Sequence, residues 1–236
     1  MFTIFVSMIE VALTGNPYSG KKTIAKLFKQ IRVPVFEADT VIKFILNFRP
    51  HVDEPIRANV GSFVYRNGFL NPDAFVTDSL FDKTIDIVEF ELFQCWERFK
   101  QKHSGSSYII FKSSLLFERG WENKFDQVIA VFAPREERVY RAKMSTNLRV
   151  DFIWSNLDKG IPELTKNKKS TYVIHNYEGA PDILSQVNQI DQKIVETHLA
   201  TYRNSSKSLC GNCQKQPQSR FGLCINCSKK YNLNLL

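Results

Sequence analysis

The 236-residue sequence lacks any apolar run of the ~18–20 residues that a membrane-spanning helix needs. Its apolar first segment, MFTIFVSMIEVALTG, has no basic start and is interrupted by Glu10, so it is not typical of a secretion signal. Acidic residues are missing from residues 201–236, which carry six lysines and arginines, and the rest of the chain is left near +2. These absences indicate a cytoplasmic protein whose basic character belongs to its C-terminal tail.

What the chain has in plenty is material for a core. Hydrophobic residues make up 43% of it and aromatic residues 13%, which is enough for one sizeable domain with a small appendage. Short, continuous apolar runs alternate with helical patterns. This alternation predicts an α/β fold, a three-layer sandwich built on a parallel sheet. The predicted strands are 3–14, 33–36, 108–111, 126–133 and 171–176, and the predicted helices are 21–31, 71–102, one from about 134, 147–158 and 181–202.

Residues 15–23, GNPYSGKKT, come close to the phosphate-binding pattern G-x-x-x-x-G-K-[ST]. Position 22 is a second lysine, and the hydroxyl comes one residue later, at Thr23. In such a loop the backbone N–H groups and the lysine bind phosphates, and the hydroxyl at position 22 binds Mg²⁺. The order strand, loop, helix, strand favours this role over a glycine-rich structural turn. The predicted nucleotide-binding residues are Gly15, Asn16, Pro17, Tyr18, Ser19, Gly20, Lys21, Lys22 and Thr23.

Six segments, taken in order, resemble the dephospho-CoA kinase family from about residue 9 to about residue 190. They are VALTGNPYSGKKTIAKLF, VPVFEAD, GFLNPDAF, SSLLFERG, FDQVIAVFAPREERVYR and YVIHNYEGAPDILSQV. The resemblance implies a P-loop kinase fold and a reaction of coenzyme A biosynthesis, in which the γ-phosphate of ATP passes to a ribose 3′-hydroxyl of dephospho-CoA. It also implies ATP and Mg²⁺ as cofactors and a nucleotide-like small molecule as the substrate.

The resemblance implies roles for five residues. Lys21 and Arg141 are expected to act on the transferred phosphate, and Glu118 and Lys166 to lie on the substrate side. Asp39 is the candidate general base for the substrate hydroxyl. Because Asp39 stands just before the helical segment TVIKFIL, it is also a candidate N-cap of that helix, and the two roles are compatible.

The chain departs from the family pattern at several positions. Lys22 replaces the hydroxyl that binds Mg²⁺, Ser114 replaces a proline, and Ser145 replaces a second arginine of the lid. The remaining departures are Pro72 in place of an arginine, Gly160 in place of a glutamine, and VEFELF in place of a His-Pro pair. The loop therefore lacks one Mg²⁺ ligand and the lid lacks one arginine, so phosphate binding is expected and catalysis is left open.

Four cysteines near the C-terminus have the spacing of a tetrahedral zinc site. They form CxxC-x10-CxxC and are Cys210, Cys213, Cys224 and Cys227. Two disulfides are the alternative, disfavoured because no export signal is present. The tail is expected to contact nucleic acid, dock a protein or stabilise the fold through Zn²⁺. The basic and aromatic residues around the cysteines are Lys215, Arg220, Lys229, Lys230, Phe221 and Tyr231.

The predicted organisation is a P-loop kinase-like domain over 1–203, a linker over 204–209 and the four-cysteine module over 210–236. Three functions stay open on the sequence alone. The first is an ATP-dependent kinase of the dephospho-CoA kinase type, and the second is a deoxynucleoside monophosphate kinase. The third is a non-catalytic nucleotide-binding protein that works through its zinc tail.

Overall fold

A computed structural model describes residues 8–66, 69–70, 78–145 and 160–206. The order of its strands and helices along the chain is as follows. The elements are β1 (Ile9–Gly15), α1 (Lys21–Gln30), β2 (Val35–Glu37), α2 (Ala38–Phe48), α3 (Pro50–Asn59), β3 (Tyr65–Arg66), β4 (Phe69–Leu70), α4 (Asp78–Lys102), β5 (Tyr108–Lys112), β6 (Gln127–Phe132), α5 (Arg135–Ser145), α6 (Glu163–Lys169), β7 (Tyr172–His175) and α7 (Ile183–Ser206).

Five of the strands form one parallel sheet in the order β2-β5-β1-β6-β7. Strand β5 is buried along its whole length, which is why its sequence is a continuous apolar run closed by Lys112. β1 lies at the centre, between β5 and β6, and its last residue is Gly15. The loop that follows β1 therefore emerges at the carboxyl edge of the sheet, where ligands bind in open α/β folds.

Alternating side chains of β1 enter two separate cores. Ala12 faces a core that includes Phe111 of β5 and the buried residues of α2, α3 and α4. Val11 and Leu13 face the other core, which is formed with α1 and α7. This arrangement confirms the predicted three-layer α/β architecture on a parallel sheet.

The predicted elements are confirmed where the structure describes them, with small shifts at their ends. The last helix ends at Ser206, four residues beyond the predicted end at Tyr202, so it occupies the first part of the predicted linker. The predicted helix start at 71–73 and the predicted helix at 147–158 lie outside the described residues. The sequence did not predict α3, the hairpin of β3 and β4, or α6. In the part of the chain that the structure describes, no helix is long and apolar enough to span a membrane.

Candidate active site

The loop between β1 and α1 has a backbone that only glycine accommodates at its two ends. Gly15 has φ +151° and Gly20 has φ +97°. A Cβ on Gly15 would lie 2.5 Å from the carbonyl oxygen of Val131, and one on Gly20 would lie 2.0 Å from Nδ2 of Asn176. Gly15 is therefore required by its close approach to the backbone as well as by its conformation, and Gly20 is required by its conformation.

Lys21 folds back over the loop that precedes it. Its Nζ donates to the carbonyl oxygens of Gly15 at 2.8 Å and Asn16 at 3.0 Å. Burial lowers the pKa of the Lys21 ammonium to about 8, although the Asp39 carboxylate acts in the opposite direction. A phosphate group at the loop would restore the favourable interactions that burial has removed from this ammonium.

Two side chains outside the loop form hydrogen bonds with its backbone. They are Asn176, which follows β7, and Arg141 of α5. Nδ2 of Asn176 donates to the carbonyl oxygen of Ser19 at 2.7 Å, and Nη2 of Arg141 donates to the carbonyl oxygen of Asn176 at 2.8 Å. Nη1 of Arg141 lies 3.4 Å from the carbonyl oxygens of Tyr18 and Ser19. Arg141 thus contacts the backbone of the loop, and its predicted action on the transferred phosphate stays a prediction.

Asp39 lies in the first turn of α2, and the prediction that it caps this helix is wrong. The helix begins at Ala38 directly after β2, so the N-cap position falls to Glu37, which makes no capping side-chain hydrogen bond. The Asp39 carboxylate instead accepts hydrogen bonds at 3.0 Å from both the backbone N–H and the hydroxyl of Ser114. The serine at the family's proline position is therefore a partner of the candidate base.

An open cleft of about 390 Å³ lies between the loop and α2. The residues that line it include Tyr18, Lys21, Lys22, Asp39, Lys112 and Ser114. We call it the phosphate cleft, because the loop and three ammonium groups border it. Thr23 is exposed and is not among the residues that line this cleft, so the late hydroxyl does not take the place of the one missing at position 22.

A second cleft, of about 450 Å³, adjoins the first. Its lining includes Phe81, Glu118, Gly160 and Lys166, and it shares Pro17 and Ser114 with the phosphate cleft. We call it the substrate-side cleft. The two clefts share Ser114, whose hydroxyl donates to the carboxylate of Asp39, and Asp39 itself lines the phosphate cleft.

Glu118 and Lys166, the two predicted substrate-side residues, are brought together in this second cleft. Nζ of Lys166 lies 2.5 Å from Oε1 of Glu118, and Lys166 is almost fully buried at 2% exposure. Gly160 has φ +94°, and a Cβ there would lie 3.0 Å from the same carboxylate oxygen. The glycine therefore gives the backbone room beside the Glu118 carboxylate.

Arg138 and Glu163 form a buried ion pair that the sequence did not reveal. Nη2 of Arg138 lies 3.3 Å from Oε2 of Glu163, and the two side chains are only 4% and 14% exposed. Burial raises the pKa of the Glu163 carboxyl even though the Arg138 guanidinium opposes that rise. The pair connects α5 to α6, and its residues are 25 positions apart along the chain, so no local pattern could have indicated it.

Zinc and magnesium were both expected, and the described residues bear on them differently. The four cysteines lie outside the described residues, so the zinc site stays a prediction. Within the described ranges no group of three or more His, Cys, Asp or Glu side chains is placed to hold a metal. The phosphate cleft presents the Lys22 and Lys112 ammonium groups beside a single lining carboxylate, that of Asp39. This donor set fits the phosphates of ATP, whereas a Mg²⁺ ion there would have one protein carboxylate beside the ATP phosphates and would be repelled by the two ammonium groups.

The fold and this site define a P-loop kinase, in which a glycine loop and its lysine face a carboxylate across a cleft. The family profile described as dephospho-CoA kinase matches residues 9–182. The chain belongs to the dephospho-CoA kinase family, and that family consists of ATP-dependent phosphotransferases.

Individual relatives agree with this assignment. The chain is 27% identical over 198 residues to a dephospho-CoA kinase of Aquifex aeolicus, covering 79% of this chain and 98% of that protein. The solved structure of TT1252 from Thermus thermophilus superposes with a TM-score of 0.66 at 23% identity, covering 80% of this chain and 97% of the other. A dephospho-CoA kinase from Campylobacter jejuni gives a TM-score of 0.57 at 17% identity, covering 80% and 98%. The two structures show that the fold is shared.

Proposed function

We propose that this protein transfers the γ-phosphate of ATP to the ribose 3′-hydroxyl of dephospho-CoA, a step of coenzyme A biosynthesis in the cytoplasm. The family match over residues 9–182 supports the reaction class and the substrate. The observation that carries the proposal is that Asp39 lines the phosphate cleft while its hydrogen-bond partner Ser114 also lines the substrate-side cleft. A base that takes a proton from one substrate during attack on the other must stand between the two.

The roles of the side chains follow from their positions. The loop N–H groups and Lys21 bind the ATP phosphates. Arg141 stabilises the conformation of the loop by donating to the carbonyl oxygens of Tyr18 and Ser19. Asp39 accepts the proton of the attacking hydroxyl, and Ser114 fixes the orientation of its carboxylate. Glu118 and Lys166 line the cleft where the acceptor substrate enters and offer it one acceptor and one donor.

An ATP-consumption panel tests this proposal against its rivals. We expect turnover with dephospho-CoA and at least about tenfold less with each deoxynucleoside monophosphate, since the family match favours the former. The panel is run with and without Mg²⁺. Preference for a deoxynucleoside monophosphate would show that this nucleotide, and not dephospho-CoA, is the acceptor substrate. Binding of ATP without turnover on any acceptor would favour the non-catalytic function, for which Lys22 is the supporting observation.

We also propose that residues 210–236 hold one structural Zn²⁺ through the four cysteines. The support is the CxxC-x10-CxxC spacing, together with the small size of the segment, which needs a metal to fold. The six basic side chains of residues 201–236 make nucleic acid or an acidic protein surface the expected partner of this tail.

A further inference from the structure

Lys112 supplies an ammonium group to the phosphate cleft from the sheet and not from the loop. It is the last residue of β5, and it pairs in register with Leu13 of β1, the strand that feeds the loop. The residue is 8% exposed, and its Nζ lies 2.5 Å from Oε2 of Glu37 and 3.8 Å from Oδ2 of Asp39. The family resemblance gave this position no role.

The charges around this cleft do not balance. The charged groups that line it are the ammonium groups of Lys21, Lys22 and Lys112 and one carboxylate, that of Asp39. Two positive charges are left without a carboxylate. Glu37 has a second partner, because Nζ of the exposed Lys29 of α1 lies 2.8 Å from its Oε1. The Glu37 carboxylate would therefore stay paired if Lys112 also bound an anion.

The lysines of the cleft are close enough to influence one another. Burial is the main cause that lowers the pKa of Lys21, and the nearby ammonium groups of Lys166 and then Lys112 lower it further. Like charges held together in a partly buried cleft are unfavourable until an anion enters between them. An ammonium has three donors, so Lys112 can keep its bond to Glu37 and give another to a phosphate oxygen.

We propose that Lys112 is a phosphate-binding residue and that, together with Lys22, it allows the cleft to bind ATP without Mg²⁺. The proposal rests on the ATP binding contained in the proposed function and names the groups that neutralise the nucleotide. The hydroxyl missing at position 22 is then one part of a changed site. In this site the lysine ammonium groups neutralise phosphate charge that Mg²⁺ neutralises in other P-loop kinases.

Calorimetric titration of the full-length protein with ATP, in EDTA and in Mg²⁺, tests the proposal. We expect the parent to bind ATP in EDTA within about threefold of its affinity in Mg²⁺, and Lys112→Met to bind about tenfold more weakly in EDTA. Lys29→Met is the matched control, because it also removes one partner of Glu37 but lies outside the cleft. It should bind ATP as the parent does, and Lys112→Arg should keep most of the affinity. Thermal melting of each variant reports on the fold separately.

Equal ATP affinity in Lys112→Met and Lys29→Met would overturn the proposal, because Lys112 would then serve only to pair with Glu37. A parent that binds ATP only with Mg²⁺ would overturn the metal-free part. These results are distinct from a failure of the proposed function. If the protein binds ATP as stated but does not phosphorylate dephospho-CoA, the role of Lys112 is supported and the proposed reaction is contradicted. A parent that binds no ATP contradicts both.

Discussion

We expect ATP binding to depend most directly on Lys21, and we expect the lowered pKa of its ammonium to make that binding depend on pH. The ammonium form binds phosphate, and with a pKa of about 8 its population falls as pH rises through 8. We therefore expect the ATP affinity of the parent to fall about 25-fold between pH 7.5 and pH 9.5. Lys21→Ala should bind more weakly at pH 7.5 and show no such fall. Calorimetry over this range decides it, and equal affinity of the two proteins at pH 7.5 would remove the role given to the loop.

We expect Lys22 to be the residue that most directly limits Mg²⁺-dependent turnover. Lys22→Ser restores a hydroxyl at the position that normally binds the metal and removes a positive charge next to it. Position 22 is in the first turn of α1 and exposed, so serine is tolerated there. We expect turnover in Mg²⁺ to rise at least about tenfold, or roughly 1.4 kcal/mol of barrier.

Asp39→Asn in the Lys22→Ser background should abolish that gain, because the base would be lost. If the parent is already an active kinase and Lys22→Ser has the same turnover rate, then Lys22 does not limit turnover. If both proteins are inactive, the departures at Ser145 and Gly160 matter more than the loop.

At the scale of elements, the Arg138–Glu163 pair joins α5 to α6. Removing one partner of a buried ion pair leaves an uncompensated buried charge. We expect Glu163→Gln to lower the free energy of unfolding by about 3 kcal/mol, measured by urea denaturation. The double variant Arg138→Met, Glu163→Met should recover most of that loss, since two apolar side chains replace the pair. Unchanged stability in Glu163→Gln would contradict the stabilising role expected of this pair.

The four-cysteine module is the element whose prediction still rests on spacing alone. Protein purified without added zinc should contain one Zn²⁺ per chain by metal analysis, because four thiolates at this spacing bind it tetrahedrally. The variant Cys224→Ser, Cys227→Ser should lose the metal while keeping ATP affinity, because the predicted ATP-binding residues all lie within the family match, which ends at residue 182. Metal-free protein with its four cysteines oxidised would establish two disulfides in its place.

At the scale of the whole molecule, the central layer of the fold was predictable and much of the site was not. Strands such as β5 and β6 are continuous apolar runs, because parallel strands are covered on both faces. Strands β3 and β4 have two residues each, which is too short for a periodic pattern to be recognised. Helix α3 contains Pro55, which interrupts its helical pattern.

The site shows the same division between local and long-range information. The glycine loop is a local motif, and the sequence identified it. The hydrogen bonds from Ser114 to Asp39 span 75 positions, and so does the pairing of Lys112 with Glu37. Only the order of the strands in the sheet brings these groups together, so the serine was taken for a departure from the family and Lys112 was given no role.

The reaction itself gives the most direct test of the central claim. The purified full-length protein is incubated with ATP labelled on the γ-phosphate and with dephospho-CoA, and the product is examined by mass spectrometry and phosphorus NMR. The account predicts that the label appears on the ribose 3′-oxygen, giving coenzyme A, and that Asp39→Asn slows this transfer by at least about a hundredfold while still binding ATP. Label found on a different acceptor position, or transfer by Asp39→Asn at the parental rate, would contradict it.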